Sequence, residues 1–279
     1  MSVQNFIPTV WSETLKKALN EKYVGVANCS REYEGDIRQK GNRVKILNVG
    51  GVSVSDYTPN TDMSSPEALD GSVTELVIDR AKYFNFQLDD VDHAQAVPGL
   101  MEAAMKNAAA ALAKEADQYI YSLRSQVEAC VYCNTVDWEE ANILNAFLEA
   151  RTKLMKGGVT DVNDIVFEIT PKVAEELLKK EIALSSDSAD LMENGCIGKV
   201  AGCKVYVTNN IETYEGCSAI HHYCYARSRR AIAFAEQISE IEAYRPEMRF
   251  ADAVKGLHLY GAKIVYPDEI CVLDLSVES

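Results

Sequence analysis

Residues 73–127, VTELVIDRAKYFNFQLDDVDHAQAVPGLMEAAMKNAAAALAKEADQYIYSLRSQV, decide how this chain is read. In the first part, Val73 to Asp89, the residues Leu76, Ile78, Phe84, Phe86 and Leu88 share one parity, with Arg80 and Lys82 among them. That is the period-two pattern of extended backbone. About 16 residues at roughly 3.3 Å each would span about 50 Å, whereas strands in compact domains average roughly 5–6 residues. The pattern suits an extended arm. In the second part, Met101, Met105, Ala108, Leu112, Ala116, Tyr119, Leu123 and Val127 recur at threes and fours, and no Pro or Gly interrupts from Leu100 to Tyr132. Pro98 can open this helix because its missing N–H costs nothing in the first turn. About 30 residues would make a rod of roughly 45 Å, and its density of Ala implies close packing along much of its length.

Upstream, Phe6 to Tyr23 carries Trp11, Leu15, Ala18 and Leu19 at helical spacing. This predicts a short amphipathic helix whose stripe must be covered by its own domain or by another subunit. Arg43-Val44-Lys45-Ile46-Leu47-Asn48-Val49, then Gly50-Gly51, then Val52 to Tyr57 reads as a strand–turn–strand hairpin. Its second arm is almost free of large aliphatic side chains, so it cannot form a core alone. Thr58 to Pro66 reads as loop.

Downstream, Asp137 (N-cap) with Glu140 predicts a helix that ends at Gly157-Gly158. Asp164 to Ile169 is a short strand, and Thr170-Pro171 starts a third helix that runs to about Glu181. Ser185 to Ser188 is loop. Lys204–Thr208, Ser218–Tyr225, the stretch ending in Ala262–Tyr266, and Ile270–Leu275 read as strands. Ala231 to Glu236 fits either strand or helix. The fold class is α+β, with no internal repeat and no dividing linker.

Composition mostly excludes. The 279 residues are 47% hydrophobic and 25% charged, as in a globular protein. No apolar run approaches the roughly 18 residues that span a bilayer, so no membrane partner is expected. The first eight residues lack the basic and apolar regions of a signal peptide, which points to the cytoplasm. A net charge of −14 disfavours strong non-specific binding of nucleic acid. The densest basic cluster, Arg227, Arg229 and Arg230, reads as an exposed face with its own carboxylate partners. The eight cysteines are spread thinly and read as free thiols.

No constellation carries catalysis. Cys130-Val131-Tyr132-Cys133 is a CxxC at the C-terminal end of the long helix, where the dipole disfavours a thiolate, and two further zinc ligands are not nearby. Cys217, His221, His222 and Cys224 form a Cys/His cluster, but adjacent His on a strand point to opposite faces. Phosphate-loop, dinucleotide, nucleophile-elbow and zincin motifs are absent from the sequence. The expectation is therefore no catalytic, cofactor-binding or metal residues, no cofactor, and no enzyme.

Two stretches carry a resemblance. One is Phe6-Ile7-Pro8-Thr9-Val10-Trp11-Ser12 together with Asp70-Gly71 and Val77 to Asp90. The other is Glu247-Met248-Arg249-Phe250-Ala251-Asp252-Ala253-Val254-Lys255-Gly256-Leu257-His258-Leu259-Tyr260-Gly261-Ala262-Lys263. Here, and in layout over nearly the whole chain, it resembles the tailed-phage major capsid proteins of the Hong Kong 97-type fold. The resemblance implies an N-terminal arm (1–35) and an extended hairpin loop (36–80) over a neighbouring subunit. It implies a peripheral domain with the spine helix (81–181 and 247–279) and an axial domain (182–246). It also implies self-assembly into pentamers and hexamers around a genome, a separate scaffolding protein, a portal, and weak non-specific contact with double-stranded DNA. The alternative with the same fold is an encapsulin-like compartment. A thiol enzyme using Cys130 and Cys133 is the third reading.

Overall fold

Elements and their causes are described for the computed structural model over residues 6–33, 43–49, 56, 57, 59, 62, 65, 71–89, 100–133, 140–179, 195–216, 219–248 and 251–278. The Trp-Ser-Glu-Thr-Leu periodicity forms helix α1 (Phe6–Lys22), and the Ala-dense run forms α2 (Leu100–Ser122). Leu15, Ala18, Leu19 and Tyr23 are buried in one cluster with Met105, Ala109, Leu112, Ala113 and Ala116. The small side chains on α2 let the two helices approach closely. Leu15, Ala18 and Leu19 of the first helix are therefore covered within its own chain.

The long helix is shorter than its periodicity suggests. It has 23 residues, about 35 Å at 1.5 Å per residue, and passes into a 3-10 turn at Leu123–Gln126. Pro98 lies outside the described residues. Cys130–Cys133 is strand β4, where the sequence suggested helix. The reason is tertiary: β4 adds to a sheet edge in parallel to the last strand, with Val272 opposite Cys130.

Strand β1 (Arg43–Val49) forms as its alternation requires, but not with the expected partner. It pairs antiparallel with β2 (Gly71–Val77), placing Val44 opposite Leu76 and Val49 opposite Gly71. Asp56 and Tyr57 are not in a strand, and 52–55 lie outside the described residues. Val44 and Ile46 need apolar company on their face. Leu76 provides it, and a segment of Val, Ser and Asp would not.

The 73–89 run is likewise divided. It breaks after Val77, and β3 (Arg80–Asp89) joins a different sheet. Ile78 at the break is fully buried. At the same place Gly261 passes so close that a Cβ there would lie 2.2 Å from the Val77 carbonyl oxygen.

Helix α3 (Glu140–Lys156) ends where Gly158 turns to φ +107°, the conformation glycine accepts without cost. Asp137 lies outside the described residues. β5 (Ile165–Ile169) and α4 (Pro171–Lys179) follow as expected, while 180–194 are not described. Then come β6 (Cys196–Val200), β7 (Cys203–Val207), β8 (Thr213–Glu215), β9 (Ala219–Ser228), β10 (Ile232–Tyr244), β11 (Ala251–Ile264) and β12 (Ile270–Glu278). Of the ambiguous Ala231–Glu236 stretch, Ile232 to Glu236 is strand, part of the 13-residue β10.

These strands make a ribbon, β1-β2, a three-stranded sheet, β10-β11-β3, and a seven-stranded sheet, β4-β12-β9-β5-β7-β6, with β8 on β9. One face of the three-stranded sheet packs on α1 and α2 through Ile232, Phe234, Val254 and Tyr260. Its other face meets the ribbon base through Ala233, Ala235 and Leu259. A second large core sets α3 and α4 against Phe167, Val205, Cys224, Ala226 and Leu273 of the seven-stranded sheet.

Candidate functional site

The segment Tyr23–Arg31 runs between the two large cores, and buried polar groups hold it there. Arg227 on β9 is fully buried and forms a two-pronged ion pair with Glu168 on β5, at 2.8 and 2.9 Å. Its remaining donors reach the carbonyls of Gly25 and Asn28, each at 2.8 Å. Asn28 donates to Glu168 at 3.0 Å. From α2, Asp117 accepts the backbone N–H groups of Val26 (3.0 Å) and Val24 (3.2 Å) and the side-chain amide of Asn210 (3.1 Å). From β10, Glu236 receives Tyr23, Arg31 and His258. Ser30 bonds both ways with β10, donating to Ile232 and accepting from Phe234. Gly25 is needed at its place, because a Cβ would sit 2.9 Å from the Tyr121 hydroxyl.

The sequence reading of the arginine cluster is corrected here. Arg227 belongs to no exposed face. It is the centre of the junction, and burying a guanidinium is tolerable because Glu168 and two carbonyls satisfy it. Arg230 does have the expected surface partner, Glu269. Signals for the junction existed. Glu168 interrupts an otherwise apolar strand whose five residues are all buried, and Asp117 sits next to Ala116 on the buried stripe of α2.

The thiol and histidine candidates disperse. Cys130 is half-buried on β4, and its carbonyl accepts from Lys153. The Cys133 side chain lies outside the described residues. His221 pairs with Asp274 at 2.8 Å, while His222 turns inward to Thr170 at 2.9 Å. Burial pushes the Cys224 thiol up to about 12 and those of Cys29, Cys203 and Cys271 up to about 11. These four stay protonated near neutral pH. Cys217 lies outside the described residues. Among the described residues, no group of three or more His, Cys, Asp and Glu side chains is placed to hold a metal ion. No described helix is long and apolar enough to cross a membrane.

What the surface offers is edges and apolar side chains. Tyr83 and Leu257 stand on the outer face of the three-stranded sheet beside Asn85, Glu242 and Lys255, around an open groove of about 460 Å³. Tyr83 is 78% exposed and Met248 94%. Single exposed apolar residues are ordinary, but Tyr83 and Leu257 stand opposite each other on β3 and β11, and among the described strands none pairs with the outer edge of β3.

No family model matches the chain, and no curated protein does. Solved structures do. A chain from Mycobacterium phage Che8 superposes with a TM-score of 0.70 at 27% identity, over 90% of this chain and 90% of that one. The capsid of Ralstonia phage GP4 gives a TM-score of 0.69 at 12% identity, over 94% and 90%. A virus-like particle from Pyrococcus furiosus gives 0.60 at 14% identity, over 96% and 99%. The likeness runs over nearly the whole of each chain, and the chain has the Hong Kong 97-type fold of tailed-phage major capsid proteins.

Proposed function

We propose that the chain is the shell subunit of a tailed phage, which assembles into pentamers and hexamers and closes an icosahedral capsid around the genome. The observation that carries this reading is the likeness to the Che8 phage chain, at 27% identity over 90% of both chains. The ribbon supports it. Among the described residues, it meets the rest of the chain through one small apolar strip, Val44, Ile46 and Leu76 with the adjoining Ile78. Many modest contacts acting together make such a shell stable, and closed rings limit its growth.

Within the same proposal, 1–35 is the arm, 36–80 the extended loop, 81–181 with 247–279 the peripheral domain, and 182–246 the axial domain. A separate scaffolding protein and a portal are its assembly partners in the host cytoplasm. The net charge of −14 fits an inner wall that touches double-stranded DNA weakly. The role is structural and not enzymatic, and needs no cofactor.

The Pyrococcus particle shares the fold and keeps an encapsulin-like compartment as the second reading. Electron microscopy of the purified protein, expressed alone and with its scaffold, should show rings or shells. A strictly monomeric species at high concentration with scaffold present overturns the proposal. The content of the shells decides between the readings: DNA for the phage, a cargo protein for the compartment.

A further inference from the structure

Three buried carboxylates surround Tyr23–Arg31, and they differ in one respect. Glu168 faces the guanidinium of Arg227, and Glu236 faces Arg31 and His258. Asp117, fully buried, accepts only from neutral donors: two backbone N–H groups of the segment and the amide of Asn210. Among the described residues no cation pairs with it, and the buried Arg227 is committed to Glu168. The other ionisable groups around it would also become, or already are, negative: Tyr23 and Cys29 on the segment, Tyr121 on its own helix, and Glu168 on β5.

From this cluster we infer that Asp117 is a proton-controlled latch, which fastens Val24–Cys29 to α2 when it takes up a proton and slackens it when it ionises. The ionised form leaves a buried charge without a cation. The segment can relieve that only by lifting away and admitting water. The protonated form keeps the packing and removes the charge. Burial pushes the Asp117 carboxyl up to about 6, its three hydrogen bonds notwithstanding, against about 3.9 for an exposed aspartate.

The sign follows from the raised value. Protons bind the latched state more tightly than the released one. The stabilisation is complete below about pH 4 and is lost as the pH rises through about 6. Between pH 5 and pH 7.5 the latch equilibrium changes about tenfold. The arm is thus loosest near neutral pH. The inference does not depend on the shell reading, because it is tested on the monomeric full chain.

The test is amide hydrogen exchange at Val24 and Val26, corrected for the intrinsic pH dependence of exchange. In the wild type their protection should rise about tenfold from pH 7.5 to pH 5, while β5 and β9 amides stay unchanged. Asp117→Asn should abolish this pH response. A flat wild-type profile, an equal response in Asp117→Asn, or exchange of these amides only with the whole protein would overturn the inference. If Asp117→Asn does not fold, Asn210→Ala serves. Losing a donor to the carboxylate must move the midpoint to higher pH, and an unmoved midpoint overturns the inference equally.

Discussion

The Tyr23–Arg31 segment and the β1-β2 ribbon both lie outside the two larger sheets, and they are held in opposite ways. The segment is fixed by directional bonds to Asp117, Glu168, Arg227 and Glu236, which come from four different elements. The ribbon rests on a small apolar strip at one end, and its ion pair Arg43–Glu75 is solvent-exposed. Apolar strips tolerate sliding and tilting. Buried polar networks tolerate neither, because each displaced donor or acceptor costs its full desolvation. The two segments are thus assigned different work. One ties the cores to each other, and the shell proposal gives the other to contact with a neighbouring copy.

Four variants press on this contrast. The largest effect concerns the ribbon. Because Val49 lies opposite Gly71, residues 50–70 can be replaced by Asn-Gly, which closes a two-residue hairpin. Urea unfolding of the monomer should show stability unchanged or raised by up to about 2 kcal/mol, since a shorter loop costs less closure entropy. Shell formation, scored by sedimentation, should be lost. Intact shells would mean that the ribbon is not an assembly element, and an unfolded monomer that it is core.

Next comes the junction. Glu168→Ala should cost about 3–5 kcal/mol by leaving Arg227 buried without a counter-charge. The double change Glu168→Leu with Arg227→Met should cost less than that single change, and a double variant worse than the single would remove electrostatics as the cause. The smallest effect is expected for Arg43→Ala. An exposed pair contributes at most about 1 kcal/mol, so the same denaturation curve should barely move. A large loss there would show that the ribbon is fixed more like the junction.

How much of this the sequence disclosed follows the same division. Helices α1, α3 and α4 and strands β5, β7 and β11 were legible because period, caps and the glycine stop act within a few residues of each other. The pairing of β1 was not. Gly50-Gly51 offered a local hairpin, and the competing partner, Leu76 with its strand, lies beyond a long connection. The end of α2 was misread because β4 gains a parallel neighbour from the far end of the chain. The junction was half legible. A glutamate within Ile165–Ile169 announces a buried partner, but the arginine that answers it is 59 residues away, and the carbonyl of Asn28 that Arg227 also meets is 199 away. Sequence spacing alone has no means of joining them. The resemblance to shell proteins carried the overall reading further than local patterns did, and it is silent on the junction.

Strand β12 deserves a last consideration in the order of synthesis. It lies between β4 and β9, inside the seven-stranded sheet. Its alternate residues serve different cores: Ile270 and Val272 the first, Cys271, Leu273 and Leu275 the second. Every other described strand precedes it in the chain and leaves the ribosome earlier. Neither core can be finished before β12 emerges, because each waits for the same few residues. A nascent chain therefore carries an open sheet interior until β12 has closed it, and under the shell proposal chains truncated before Leu275 would be excluded from ordered assembly without a separate inspector.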